Sequence, residues 1–292
     1  MSRPLVTLAA AGLVLTGCTA TNSGGGADGL PVVTSHYPVE FLVEQVGGDL
    51  VDVQTLTAPG TEPHDLELSP QQVAEVDQAA ALFYIADFQP AVDEVVGEAG
   101  GEVVDVSQGL PLRTAASTDG QGGTDPHVWL DPVLMQQMAT TVADGLAQAD
   151  PEHAEQYQDN ARALQAKLTD LDGQWRKGTR DCRIRTMVVS HEAFGYLANQ
   201  YGFDQKGIAG LSPETEPSAS AIAELASFVR DNGVTTVYTE ALVDPSVAET
   251  VAQEAGAQTA VLDPLEGPPA QGDYLSGMRE NLQTVRDGQS CV

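Results

Sequence analysis

Short apolar runs alternate with amphipathic stretches along almost the whole chain after residue 30, and this alternation constrains the fold more than any other feature. Runs of this length are typical of buried strands, whereas the stretches between them carry apolar residues at helical spacing. Strands that alternate with helices form parallel sheets covered by helices, so we predict an α/β protein. The predicted strands are 32–34, 51–56, 80–85, 102–106, 185–190, 205–209, 234–239 and 258–262.

A long polar stretch divides this pattern into two halves. Residues 151–177 carry charges throughout and contain no proline after the first position, which favours one continuous helix. At about 1.5 Å per residue such a helix would span roughly 40 Å, the length of a whole domain. We therefore predict two lobes, each a parallel sheet flanked by helices, joined by one long backbone helix. The predicted boundaries are 31–148 for the N-terminal lobe, 149–180 for the linking helix and 181–292 for the C-terminal lobe.

The first residues predict export from the cytoplasm. Arg3 precedes an apolar run over 5–15, which is too short to span a bilayer because spanning needs about 20 residues. The sequence Leu-Thr-Gly-Cys that ends at Cys18 resembles the bacterial lipobox, in which the cysteine is diacylated; an ordinary secretory signal is the alternative. We predict a lipoprotein signal peptide over 1–17, a flexible tether over 18–30, and an extracytoplasmic protein anchored to the cell membrane.

Cysteine count and net charge limit the compartment and the partners. Lipidation of Cys18 leaves Cys182 and Cys291, an even pair in an oxidising compartment, and we predict a disulfide between them; two unpaired thiols are the alternative. The net charge of −29 argues against nucleic acid or an anionic membrane surface as a binding partner.

Three histidines lie beside turn-forming prolines or strand ends that are far apart in the sequence. His64 follows Pro63, His127 follows a second proline, and His191 follows a predicted strand, as does Asp263. Open α/β sheets bind ligands at the carboxyl ends of their strands, so we predict that these four side chains converge between the lobes. Three imidazoles and a carboxylate would form a tetrahedral zinc site.

Further residues are candidates for auxiliary roles at this site. Glu240 follows the predicted strand 234–239 and is the alternative for the carboxylate, whereas His36 follows the first strand and could face the same cleft. Glu62 and Asp65 flank His64. They are candidates to accept a hydrogen bond from a ligating imidazole, because metal-bound histidines usually donate their other N–H group.

Five segments resemble motifs of one protein family and occur in the family's order: 60–65, 125–132, 190–197, 210–218 and 262–265. The family is the zinc- and manganese-binding solute-binding lipoproteins of ABC transporters, the ZnuA/TroA-like group of cluster A-I. The resemblance covers nearly everything after the tether. It implies two α/β lobes joined by a long helix, with the metal in the cleft between them. The family's ligand positions correspond to His64, His127, His191 and Asp263.

The resemblance also implies a function. It indicates a binding protein rather than an enzyme, which captures Zn²⁺ as cargo and delivers it to an ABC permease for import; we expect a monomer. Manganese-selective members tend to carry glutamate at the third ligand position, where this chain has His191. A nitrogen-rich, four-coordinate site likewise suits Zn²⁺ better than Mn²⁺.

Three alternatives stay open at this point. The cargo could be Mn²⁺, the chain could be a zinc metallohydrolase with a position open for water, or it could be an adhesin whose metal only stabilises the fold.

Many zinc-specific relatives carry a histidine-rich loop before the second ligand, but 114–124 contains no histidine. We therefore predict no auxiliary metal site in that loop.

Overall fold

The computed structural model describes residues 29–114, 123–214 and 217–292, and these form two four-stranded parallel sheets. The strands are β1 Leu30–Thr34, β2 Val51–Thr55, β3 Ala81–Tyr84, β4 Glu102–Asp105, β5 Thr186–Val189, β6 Asp204–Gly207, β7 Thr236–Thr239 and β8 Gln258–Val261. The first sheet has the order β2-β1-β3-β4 and the second the order β6-β5-β7-β8. The parallel pairing and the two-lobed α/β class confirm the predicted fold.

Helices cover the sheets at the places that the periodicity predicts. Ser69 begins α2 with a capping box that it forms with Gln72, and Pro70 occupies the first turn, where its missing N–H group costs nothing. Among the described residues, no helix combines the length and the apolarity that crossing a bilayer requires. The helices are α1 Tyr37–Gly47, α2 Pro70–Gln78, α3 Pro90–Val95, α4 Pro132–Ala149, α5 Ala154–Thr179, α6 Gly195–Tyr201, α7 Ala219–Asp231, α8 Ser246–Ala255 and α9 Tyr274–Gly288.

The long helix α5 joins the two lobes. Its 26 residues span about 39 Å at about 1.5 Å per residue. One stripe of the helix is buried, because apolar residues recur every three or four positions. This stripe packs along α1 and α4 of the N-terminal lobe and along α9 of the C-terminal lobe. Its members are Tyr157, Ala161, Leu164, Leu168, Leu171 and Trp175.

The largest apolar core is continuous across both lobes. Trp129, two residues after His127, is completely buried and donates its indole N–H to the backbone oxygen of Pro264 at 2.7 Å. The hydroxyl of Tyr274 donates in turn to the backbone oxygen of Trp129. These contacts join the two lobes directly beside the cleft.

Cys182 and Cys291 form the predicted disulfide, which ties the end of the chain to the segment after α5. The predicted signal peptide over 1–17 and the lipidation site at Cys18 lie outside the described residues, as does most of the loop 114–124. Strand β1 begins at Leu30, so the last residue assigned to the tether belongs to the sheet.

Candidate metal centre

Three imidazole nitrogens and one carboxylate oxygen converge on a single point. The Nε2 atom of His127 lies 3.4 Å from Nε2 of His64 and 3.3 Å from Nε2 of His191. Oε1 of Glu266 lies 3.4, 3.6 and 3.4 Å from the Nε2 atoms of His64, His127 and His191. A tetrahedral zinc ion with bonds of about 2.0–2.1 Å places its ligands roughly 3.3 Å apart, so these distances match the edges of one coordination tetrahedron.

Each lobe contributes two of the four donors. His64 lies on the loop after β2 and His127 on the turn before α4, whereas His191 follows β5 directly and Glu266 lies beyond β8. His127 and His191 are completely buried and Glu266 is 1 % exposed, but 8 % of the His64 side chain reaches solvent. Of the four donors, His64 is therefore the one on the solvent side.

Asp263, predicted as the fourth donor, is not in this cluster, and Glu266 takes its place. Oδ1 of Asp263 accepts a hydrogen bond from the backbone N–H of Leu265 at 2.8 Å, so the carboxylate closes a turn. The turn then carries the chain into the cleft and places Glu266 at the imidazoles. The prediction assumed that the residue directly after the strand supplies the ligand, and no local pattern singles out Glu266.

Glu240, the alternative for the fourth donor, contacts His191 on the side of the ring that faces away from the cluster. One of its carboxylate oxygens lies 2.7 Å from Nδ1 of His191 and the other accepts the backbone N–H of His191 at 3.0 Å. Asp125 does the same for His127, with Oδ1 at 2.9 Å from Nδ1 and 3.1 Å from the backbone nitrogen. Both carboxylates orient an imidazole so that its Nε2 lone pair faces the cluster. Sequence reasoning missed Asp125, although its position two residues before a histidine is a usable signal.

Glu62 and Asp65 do not repeat this arrangement at His64. Oε1 of Glu62 lies 4.0 Å from Nε2 of His64, which is the limit of an ion pair. Oε2 of Glu62 accepts the backbone N–H of Asp65 at 3.3 Å, so this carboxylate also shapes the loop.

His36, the other auxiliary candidate, lies outside the cluster in the wall behind it. It is completely buried, its Nδ1 lies 2.8 Å from the hydroxyl of Ser35, and its ring packs against Phe88 and Trp129 with centroids 4.6 and 4.9 Å apart. Phe88 contacts the ring of His64 in turn, at 4.7 Å. Burial lowers the pKa of His36 to about 3, so this imidazole is neutral at physiological pH.

The four donors form one electrostatic unit. Burial alone would raise the pKa of Glu266, but the three imidazoles that surround its Oε1 atom at 3.4 to 3.6 Å hold that pKa well below its usual range. Burial alone would lower the pKa of His191, but the carboxylates of Glu240 and Glu266 raise it to about 10. The pKa of His64 is lowered by burial. Burial would likewise lower the pKa of His127, but Asp125 and Glu266 raise it. Without a metal ion, the site thus pairs ionised Glu266 with imidazoles that favour the protonated form, His127 and His191.

Four protein donors leave no position for the water that a catalytic zinc keeps, so this site between two α/β lobes is that of a metal-binding protein and not of a zinc hydrolase. A protein family described as "Zinc-uptake complex component A periplasmic" (ZnuA) matches residues 32–288. The chain belongs to this family, whose role is transport and not catalysis, as the sequence motifs indicated.

Individual relatives agree with this assignment. The protein named "High-affinity zinc uptake system protein ZnuA" of Bacillus subtilis is 32% identical over 306 residues, covering 97% of this chain and 96% of that protein. The zinc-binding lipoprotein AdcA of Streptococcus pneumoniae is 33% identical over 280 residues, covering 89% of this chain but 56% of that protein.

Solved structures share the fold. The laminin-binding protein of Streptococcus agalactiae, described as bifunctional with adhesin and metal transporting activity, has a TM-score of 0.82 at 32% identity, covering 89% of this chain and 100% of that one. Zn(II)-bound AdcA of Streptococcus pneumoniae has a TM-score of 0.78 at 33% identity, covering 89% of this chain and 58% of that one.

Proposed function

We propose that this protein captures Zn²⁺ outside the cytoplasm and delivers it to the permease of an ABC transporter for import. The observation that carries the proposal is the tetrahedral spacing of His64, His127, His191 and Glu266. Names of relatives from Bacillus subtilis and Streptococcus pneumoniae, a zinc uptake system protein and a zinc-binding lipoprotein, support the same cargo.

The donor set favours Zn²⁺ over Mn²⁺. Three imidazoles and one carboxylate oxygen suit a four-coordinate, borderline-soft ion, whereas Mn²⁺ prefers more oxygen donors and a higher coordination number. The imidazole of His191 is central to this preference, because a glutamate there would replace a nitrogen donor with oxygen.

Capture and release would involve the His64 loop more than a rotation of whole lobes. The loop is tied down by Gln89, whose Nε2 donates to the backbone oxygen of Pro63 at 3.1 Å and to the hydroxyl of Thr57 at 2.8 Å. The lobes, by contrast, share a continuous apolar core. Detaching one loop costs less than separating that core, so the metal would pass on the side of His64.

The cellular setting belongs to the same proposal. Residues 1–17 would be removed as a signal peptide, Cys18 would carry the lipid anchor, and the protein would act as an extracytoplasmic monomer at the membrane. The name of the AdcA relative, a lipoprotein, supports the anchor. The two lobes would extend over 31–148 and 181–292, with the linking helix between them over 149–180.

Metal titration of the purified protein tests the binding step. We expect one Zn²⁺ per chain, a weaker complex with Mn²⁺, and an intense tetrahedral visible spectrum with Co²⁺ as a zinc substitute. His64→Ala, His191→Ala and Glu266→Ala should each weaken binding strongly. His153→Ala is the matched control, because His153 pairs with Asp150 on the surface, away from the cleft.

Deletion of the gene tests the transport step. Growth of the deletion strain should fail at limiting zinc and recover with added zinc or with the wild-type gene, but not with the Glu266→Ala gene. Tighter binding of Mn²⁺ than of Zn²⁺, or normal growth of the deletion strain without zinc, would exclude the proposal.

A further inference from the structure

The carboxylate at the metal centre depends on a sharp turn between β8 and Glu266. Leu265 has a φ of 54°, in the left-handed region that a branched side chain seldom occupies. A relaxed continuation of β8 would instead bring Asp263, the second residue after the strand, to the edge of the sheet. The turn therefore decides which of two acidic side chains, three positions apart, faces the imidazoles.

Hydrogen bonds from a distant part of the chain hold this turn. Asn281 on α9 is 3 % exposed, and its side-chain amide forms two hydrogen bonds with the backbone of Asp263. Oδ1 of Asn281 accepts the N–H of Asp263 at 3.0 Å, and Nδ2 donates to the carbonyl oxygen of Asp263 at 2.6 Å. The amide thus supplies the two backbone hydrogen bonds that a neighbouring strand would otherwise make with Asp263.

The side chain of Asp263 is used inside the turn. Its Oδ1 accepts the N–H of Leu265, and the carbonyl oxygen of Pro264 accepts the indole N–H of Trp129. With its carboxylate bound to this backbone and both its own backbone groups bound to Asn281, Asp263 cannot also reach the imidazoles.

The side chain of Leu265 packs into the space that the missing side chain of Gly277 leaves on the surface of α9. This side chain is completely buried, and a Cβ atom built on Gly277 would lie only 2.6 Å from its Cδ2 atom. No larger residue fits at position 277 while Leu265 keeps its place. Gly277 and Asn281 are four residues apart, so they lie on the same face of the helix and contact the turn together.

We propose that Asn281 and Gly277 are positioning residues that select Glu266, and not Asp263, as the carboxylate donor to the metal. The proposal rests on the proposed zinc-binding function and extends it. Helix α9 sets the composition of the metal centre without contacting the metal, because its two residues fix the conformation of the turn that presents Glu266.

A double-mutant cycle tests this coupling. In the otherwise wild-type protein, Asn281→Leu and Gly277→Ala should each weaken Zn²⁺ binding by about tenfold or more, the range typical of losing a partner that orients a ligand. In the Glu266→Ala background, the same two substitutions should cause no further loss. The visible spectrum of the Co²⁺ complex should change with each single substitution as the donor geometry changes.

Met278→Ala is the matched control, because Met278 is also buried on α9 but makes no hydrogen bond to the turn. It should lower the melting temperature and leave the Zn²⁺ affinity and the Co²⁺ spectrum unchanged. Equal losses of affinity with and without Glu266, or a loss in Met278→Ala as large as in Asn281→Leu, would overturn the proposal. Failure of the wild-type protein to bind Zn²⁺ would instead contradict the function on which it rests.

Discussion

His191 lies between two carboxylates, with Glu240 on its Nδ1 side at 2.7 Å and Glu266 on its Nε2 side at 3.4 Å. Their charges outweigh burial and raise its pKa to about 10. The imidazole therefore keeps a proton over the physiological range, and a metal ion must displace that proton to bind Nε2.

This competition predicts a pH dependence of zinc affinity. Since the His191 pKa is raised, the proton is bound below about pH 10 and is lost only above it. Between pH 7 and 9 the apparent dissociation constant for Zn²⁺ should accordingly fall by at least about tenfold per pH unit, because the pKa of His127 is raised as well. Competition with a chelator at a series of pH values measures this dissociation constant. A constant Zn²⁺ affinity between pH 7 and 9 would contradict a proton on His191.

Glu240→Gln provides the control for that measurement. The amide removes the negative charge at Nδ1, so the His191 pKa should drop and the slope between pH 7 and 9 should flatten. An unchanged slope in this variant would show that Glu240 is not the cause.

Gly195 leaves room for the carboxylate of Asp125, which approaches it from the other lobe. A Cβ atom at this position, in the C-terminal lobe, would lie 2.6 Å from Oδ2 of Asp125, the carboxylate that orients His127. Gly195→Ala should therefore displace Asp125 and weaken Zn²⁺ binding by about tenfold. Titration should show no further loss in an Asp125→Ala background. Gly173→Ala, where nothing lies within 4 Å of the added Cβ, should bind zinc normally.

At the scale of the element, α5 contains a glycine that weakens it. Gly173 is exposed in the middle of the helix, where glycine is less favourable than alanine because it gains more freedom on unfolding. Gly173→Ala should increase the free energy of unfolding by about 0.5 to 1 kcal/mol, as measured with urea.

Gly178 on the same helix provides the comparison. A Cβ atom there would lie 3.0 Å from Cδ1 of Leu282 and 3.2 Å from Cδ of Arg286 on α9. This close contact with α9 should cancel part or all of the increase in the free energy of unfolding that Gly178→Ala would otherwise give. A larger gain at 178 than at 173 would mean that α5 and α9 are not packed as closely as described.

Elements were predictable from local pattern to within a few residues. The capping residue Ser69 and the proline after it mark the start of α2, and the strand predicted over 102–106 is observed as β4 over Glu102–Asp105. Short strands differ by one or two residues at their ends, because tertiary hydrogen bonds and not periodicity decide where pairing stops.

At the scale of the whole molecule, the disulfide between Cys182 and Cys291 closes a long loop. The two residues are 109 positions apart, and the loss of loop-closure entropy in the unfolded chain stabilises the fold by up to about 4 to 5 kcal/mol. Cys182→Ser with Cys291→Ser should therefore lower the melting temperature, as should reductant on the wild type. Zinc affinity of the folded double variant should stay unchanged, since neither cysteine lies at the cleft.

Zinc should stabilise the molecule as one unit. The donors come from both lobes and the core is continuous between them, so one cooperative transition should move to higher temperature when Zn²⁺ is added. Free zinc at 100 times the dissociation constant contributes about 2.7 kcal/mol. Calorimetry of apo and zinc-loaded protein measures the shift, and two separate transitions, of which zinc moves only one, would contradict a shared core.

Strand and helix periods, cysteine parity and strand ends are local signals, so the residue pattern predicts the α/β class, the long linking helix, the disulfide pair and the three histidines of the cluster. Folding brings Glu266 and not Asp263 to these histidines, and it places Asp125 and Glu240 where they orient two of the imidazoles. The choice depends on a turn that Asn281 holds from 18 residues away. Contacts at that distance leave no period or motif in the chain.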